Sequence, residues 1–198
     1  MISEIGIWVI YNACKDLAAV SGSMRVSLNL SAFDFQDENL ETAIAWSLMD
    51  SGLNPNRLQL EITESVVMNV SSSVKGQIER IRQKGVTIAL DDFGTGFSSL
   101  TSLLSFPVDC IKIDQSFVRD ILNEQKSRVI VQGLISIAKG LGLAVVAEGV
   151  ENADEAALLQ MMGVSHLQGY YFGRPSTIEN VVAAKKSSNL SIRRLASK

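Results

Sequence analysis

The stretch Ile-Ala-Leu-Asp-Asp-Phe-Gly-Thr-Gly-Phe-Ser-Ser-Leu, residues 88–100, decides how the rest of the chain is interpreted. Its apolar, strand-like beginning ends in two adjacent carboxylates, Asp91 and Asp92, and a loop broken by glycines follows. Neighbouring side chains of a strand point to opposite faces, but at a strand end both carboxylates can reach one site above the sheet. Paired acids at such an end are typical of a site for hard divalent cations. An Asp-Asp turn that caps the next helix is the alternative that this stretch alone leaves open.

The composition describes an ordinary globular chain and excludes several classes of function. The 198 residues are 46% apolar and 20% charged, and the net charge of −3 does not indicate a basic surface for DNA or RNA. No signal peptide or membrane-spanning run is visible, so we expect a cytoplasmic protein without a membrane segment. Cys14 and Cys110 lack metal-ligand spacing and are expected to be buried free thiols. Because His166 is the single histidine, a histidine-based metal site or a Ser-His-Asp triad is disfavoured.

Strand-like runs alternate with helical patterns along the chain. Apolar residues recur at helical spacing around residues 40–49, 74–81 and 129–141, and Trp8 and Trp46 lie on such apolar faces, where we expect core positions. This alternation predicts a parallel sheet covered by helices, in one α/β domain. The predicted strands are residues 25–32, 58–65, 86–93, 110–114, 144–150 and 166–172.

Polar residues of similar chemistry stand near the end of every predicted strand. In parallel α/β folds the carboxyl ends of the strands meet at one edge, where ligands bind. A single buried polar residue is most often a helix cap, but six consecutive strands favour one shared site. Oxygen ligands without Cys or His favour Mg²⁺ or Mn²⁺, and such ions suit hydrolysis of a phosphate ester. The residues are Asn29, Glu61, Glu64, Asp91, Asp92, Lys112, Asp114, Glu148 and Gln168.

Six short motifs, taken in order, resemble those of the EAL domain family of cyclic di-GMP phosphodiesterases. They cover the chain from about residue 2 to residue 175. The motifs are Asn-Leu-Ser at 29–31, Glu-Ile-Thr-Glu at 61–64, Asp-Asp-Phe-Gly-Thr-Gly at 91–96, Lys-Ile-Asp at 112–114, Ala-Glu-Gly-Val-Glu at 147–151 and Gln-Gly-Tyr at 168–170. The resemblance implies a TIM-type (β/α) barrel with one antiparallel strand. It also implies two Mg²⁺ or Mn²⁺ ions, hydrolysis of cyclic di-GMP to linear pGpG, and a bacterial signalling protein.

The resemblance also implies a role for each retained residue. Asn29, Glu61 and Asp91 resemble metal ligands of the family, and Asp92 resembles the ligand of the second metal. Lys112 and Glu148 resemble the residues that position and activate the attacking water, and Asp114 and Gln168 resemble supporting residues. Glu64 resembles the acid that holds the loop 93–99, whose Phe93, Gly94, Thr95 and Gly96 form a substrate loop.

The Glu-Ala-Leu motif that names the family is absent from this sequence. In the family its glutamate binds metal, on a strand upstream of the Asn-Leu-Ser motif. We therefore expect an incomplete barrel with about six of the family's eight strands at residues 1–178, followed by a C-terminal helix and basic tail at 179–198. Exposed sheet edges then predict a homo-oligomer or a strand-swapped dimer.

Because one metal-ligand glutamate is lost, the sequence leaves open whether the chain hydrolyses its substrate. The leading hypothesis is a cyclic di-GMP phosphodiesterase-type domain with impaired activity, since catalysis is more sensitive than binding to a missing ligand. The alternative is a non-catalytic module that binds cyclic di-GMP or a protein partner. A third hypothesis is an unrelated α/β hydrolase that acts on another phosphodiester.

Overall fold

The fold is a six-stranded parallel sheet curved into half of a barrel, with helices on its outer side. The computed structural model describes residues 2–69, 71–94 and 106–187. The strands are β1 Val26–Leu30, β2 Leu58–Thr63, β3 Thr87–Phe93, β4 Cys110–Ile113, β5 Ala144–Ala147 and β6 His166–Leu167. The helices are α1 Ile2–Ala18, α2 Leu40–Ser51, α3 Glu64–Asn69, α4 Ser72–Gln83, α5 Gln115–Arg119, α6 Gln125–Gly140, α7 Ala153–Met162 and α8 Ile178–Ser187.

Each strand pairs with the next strand along the chain, so the sheet order is β1-β2-β3-β4-β5-β6. All five pairings are parallel. The central strands bury an apolar face: Leu60, Ile62, Ile88 and Ile111 are fully buried, and the strand register places them on one side of the sheet. Each such side chain contributes about 1.5–3 kcal/mol through removal from water. This burial holds the strands in register, and the register places all of their carboxyl ends at one edge of the sheet.

The helices bury one side against the sheet and leave the other in water. Helix α6 buries Val131, Ile135 and Ala138 at helical spacing, as an amphipathic helix should. Val129 and Ile130, which begin the apolar pattern recognised in the sequence, are exposed. The α2 helix ends at Gly52, whose φ of 68° provides the left-handed conformation of a helix C-cap. No helix in the described ranges is long and apolar enough to cross a membrane.

The sequence prediction of six parallel strands is confirmed, but several details of the sequence analysis are wrong. Strand β5 ends at Ala147 instead of residue 150. Strand β6 comprises His166–Leu167 instead of residues 166–172, because after Gln168 the chain bonds to the segment at Val150 in place of a regular ladder. Trp8 and Trp46 do not lie in the core, since they are 65% and 51% exposed. The Trp46 ring stacks on Tyr11 with centroids 5.1 Å apart, so the two outer helices make this contact at the surface.

Candidate metal centre

The parallel register brings the strand-end residues to one edge of the sheet. Asn29 lies opposite Glu61 in the pairing of β1 with β2. Thr63 lies opposite Asp91 in the pairing of β2 with β3. On the other side of β3, Lys112 of β4 pairs with Val146 of β5, two residues before Glu148. Four strands therefore deliver acidic or basic side chains to the same edge, as the sequence pattern predicts.

Lys112 lies at the centre of this site and joins three carboxylates. Its Nζ atom donates to Glu61 Oε2 at 2.6 Å and to Glu148 Oε1 at 2.7 Å, and it lies 3.0 Å from Asp91 Oδ1. The Lys112 side chain is only 3% exposed, and a buried ammonium is stable only with such partners. Burial alone would lower the pKa of Lys112, but the hydrogen bonds to Glu148 and Glu61 outweigh it and raise the pKa. Lys112 is therefore a charged donor at physiological pH.

Asp91 and Asp92 both reach this site because the backbone of β3 departs from a regular strand. The register with β4 shifts between Leu90 and Phe93, and Asp92 adopts a φ of 55°. The backbone N–H of Asp92 donates to Asp91 Oδ1 at 3.0 Å. Carboxylate oxygens of Asp91, Asp92 and Glu148 lie within 4.8 Å of one another. These three acids could together hold a metal ion, and Asp91 and Asp92 both belong to the group.

The electrostatics of this cluster favour a bound cation. Burial raises the pKa of Asp92, and the negative charge of Asp91 raises it further. Burial also raises the pKa of Glu148, against the lowering effect of its hydrogen bond from Lys112. A divalent cation bound among these carboxylates would neutralise their negative charges and so remove the repulsion between them. The donor set, oxygen without sulfur or imidazole, fits Mg²⁺, Mn²⁺ or Ca²⁺.

The other predicted site residues surround this cluster. Glu64, 6% exposed, accepts a hydrogen bond from the backbone N–H of Gly94 at 3.3 Å, so it contacts the start of the predicted substrate loop. Phe93 is buried, whereas Thr95 and Gly96 lie outside the described residues. The retained role of this loop in substrate binding stays a prediction.

Three predicted residues occupy more exposed places at the same edge. Asp114 caps helix α5, since its Oδ1 accepts from the Ser116 N–H at 2.9 Å, and its charge also raises the pKa of Asp92. Gln168 is exposed at the end of β6 and bonds through its backbone to Ala147. Asn29 is exposed on β1, the outermost described strand on that side.

The sequence reasoning missed two glycines within the site motifs. Gly149 follows Glu148, and Gly169 follows Gln168. Both lie where backbone segments approach closely, which a sequence signals only as a glycine beside a functional residue.

With the geometry in place, comparison with known proteins identifies the family. A model of the EAL domain matches residues 1–175, and the chain therefore belongs to the EAL domain family. PdeR, a cyclic di-GMP phosphodiesterase of Escherichia coli K12, is 36% identical over 178 residues, which are 88% of this chain and 27% of PdeR. The chain spans 22% to 28% of the length of the first curated relatives that it matches.

Solved structures show the same fold. The PaMucR phosphodiesterase in its c-di-GMP complex superposes with a TM-score of 0.84 at 33% identity, over 91% of this chain and 74% of that one. BlrP1 of Klebsiella pneumoniae, in a complex with manganese and cyclic di-GMP at pH 6, gives a TM-score of 0.78 at 31% identity. That match covers 87% of this chain and 44% of BlrP1.

Proposed function

We propose that this chain binds cyclic di-GMP with divalent cations, Mg²⁺ or Mn²⁺, and hydrolyses it to linear pGpG. The observation that carries the proposal is the buried Lys112 joined to three carboxylates at the strand ends, beside Asp92. Membership of the EAL family supports the substrate, since relatives bear the name of cyclic di-GMP phosphodiesterases. We further propose that turnover by this chain is impaired, because its sequence contains no Glu-Ala-Leu motif to supply a further carboxylate ligand.

The proposed reaction assigns distinct work to the residues of the site. Asn29, Glu61, Asp91 and Asp92 would hold the cations. Cations held there would neutralise charge on the phosphate and lower the pKa of a water molecule. Lys112 and Glu148 orient the attacking water by hydrogen bonds, which a buried site keeps free of competing solvent. Water adds to the phosphorus, the bond to the 3′ oxygen breaks, and that oxygen takes a proton, which leaves a linear dinucleotide.

Turnover of cyclic di-GMP by the purified chain tests this proposal. The chain is incubated with Mn²⁺ or Mg²⁺, and the product is identified by chromatography against pGpG. We expect product with either metal, none after chelation, and none with the Asp91→Ala variant. The matched control is Asp154→Ala, an aspartate in the exposed first turn of α7, which should keep wild-type turnover.

A second candidate function is a non-catalytic module that binds cyclic di-GMP. The observation that favours it is the exposure of Asn29 on β1, since no strand of the described ranges lies beyond β1 to supply a further ligand. Calorimetry with cyclic di-GMP separates the two functions. Binding without product under every metal condition would overturn hydrolysis and support the binding module. Absence of both would overturn both candidates.

A further inference from the structure

The segment that carries Glu148 lies beyond the end of β5, yet backbone hydrogen bonds tie it to both neighbouring strands' segments. The Glu148 N–H donates to Ile113 O at 3.1 Å on the β4 side. On the β6 side, the Val150 N–H donates to Gln168 O at 3.0 Å, and the Val150 oxygen accepts from the Tyr171 N–H at 3.0 Å. The strand ladder is thus continued past β5 by irregular backbone. The position of Glu148 depends on how closely this segment approaches the chain after β6.

Two glycines set that approach. A Cβ atom on Gly169 would overlap the backbone nitrogen and oxygen of Val150. Gly149, with a φ of 69°, has a similar constraint on the opposite side, where a Cβ would lie 2.5 Å from Gln115 Cβ. Real side chains do not tolerate such contacts with backbone, so the neighbouring segment must move. Val150 is fully buried, so a shift of this residue is transmitted along the chain to Glu148.

We propose that Gly169 is a positioning residue for the reaction, which acts through the Val150 backbone to hold Glu148 against Lys112. The inference rests on the proposed hydrolysis. A side chain at position 169 displaces the segment 148–150 from β6 and lengthens the 2.7 Å bond between Glu148 Oε1 and Lys112 Nζ. Because Glu148 orients the attacking water, its displacement impairs the chemical step more than substrate binding. A displacement of about 1 Å is enough to cost up to about 100-fold in rate.

The Gly169→Ala variant tests this role through steady-state kinetics with cyclic di-GMP and Mn²⁺. We expect kcat to fall at least about tenfold while KM stays within about twofold of wild type. Gly133→Ala is the matched control, because a Cβ at this position in α6 meets open space, and its kcat should equal that of the wild type. Ile44→Val, in the buried face of α2, lowers the melting temperature without changing kcat and so controls for lost stability.

A crystal structure of Gly169→Ala gives a second, independent measurement. The expected result is a Glu148 carboxylate moved away from Lys112 in an otherwise unchanged sheet. An unchanged distance, or a wild-type kcat, overturns the proposal. Should the Gly169→Ala chain fail to fold, Gly149→Ala moves the same segment from the Gln115 side and must show the same fall in kcat. A wild-type chain without turnover overturns the proposed function alone, since the Glu148 to Lys112 distance in the variant still decides the positioning role.

Discussion

At the residue scale, the site holds one buried lysine among several carboxylates. The sequence suggests this excess of negative charge, and the structure shows which side chains share it. Lys112 compensates Glu61, Asp91 and Glu148, and its own burial is tolerated because of those three partners. Asp92 adds a further negative charge, and burial first, then the charge of Asp91, raises its pKa. An uncompensated carboxylate of this kind lowers the stability of the metal-free chain, and a bound cation would relieve it. This balance predicts opposite effects for substitutions of the basic and acidic members.

Lys112→Met removes the positive charge and leaves carboxylates packed together. We expect the metal-free variant to lose about 3–5 kcal/mol of unfolding free energy, the usual cost of breaking a buried pair. Mn²⁺ should restore much of the loss, because the cation then compensates the same acids. Urea denaturation with Mn²⁺ and with chelator measures both quantities. Equal stability of the two proteins in chelator would show that the ion pairs do not support the fold.

Asp92→Asn should have the opposite effect on the metal-free chain. A raised pKa in the folded state means that the protonated carboxyl stabilises the fold below its ordinary pKa of 3.8, and that this stabilisation is lost as the pH rises through the raised value. At pH 7 the wild type therefore carries an unfavourable contribution that the amide removes, and solvent screening of this exposed group keeps it below about 1 kcal/mol. The advantage of the variant should appear as the pH rises above 3.8.

Melting temperatures from pH 3.5 to pH 8 in chelator measure this advantage. Addition of Mn²⁺ at pH 7 should stabilise the wild type more than the variant, since the variant lacks one cation ligand. A variant less stable than wild type at pH 7 without metal contradicts the repulsion argument.

At the scale of elements, the sequence predicts the strands and helices that recur along the chain, but it does not predict local departures from this regular pattern. The apolar runs and the helical patterns predict the strands and the parallel sheet, because strands that are buried along their whole length are nearly continuous in apolar residues. In β4 all four residues are buried, and Lys112 is the one charged residue among them. The left-handed Asp92 and the early end of β6 follow from tertiary contacts that no local pattern encodes. The same holds for Trp8, since an apolar helical stripe does not reveal which face meets the sheet.

Gly94 is an element boundary whose conformation is testable. It ends β3 with a φ of 99°, donates to Glu64, and a Cβ there would lie 3.2 Å from Phe117 Cε2 in α5. Gly94→Ala should cost about 1–3 kcal/mol of unfolding free energy through backbone strain. Gly133 lies in the middle of α6, where a Cβ meets open space. Gly133→Ala should therefore raise the unfolding free energy by about 0.5–1 kcal/mol. Urea denaturation of both variants measures these two changes. Equal changes in unfolding free energy would contradict the backbone strain assigned to position 94.

At the scale of the whole molecule, the described sheet has two outer strands instead of a closed ring. β1 and β6 each pair on one side within the described residues. β1 alternates exposed and partly buried side chains up to the buried Leu30, so its outer edge presents backbone groups and apolar surface together. Such edges pair readily with another chain. The exposed Trp8 and Trp46 add apolar surface on the neighbouring helices.

We therefore predict that the chain self-associates, and that β1 takes part. Sedimentation velocity over a range of concentrations should show a species larger than the monomer. Ser27→Lys places a charge at an exposed position of β1, where charges oppose edge pairing, and should shift the distribution toward monomer without unfolding the chain. Gln132→Lys, an equal charge change on the exposed side of α6, should leave association unchanged. A folded wild-type monomer at every concentration would exclude self-association, while equal effects of the two lysines would assign it to a surface other than β1.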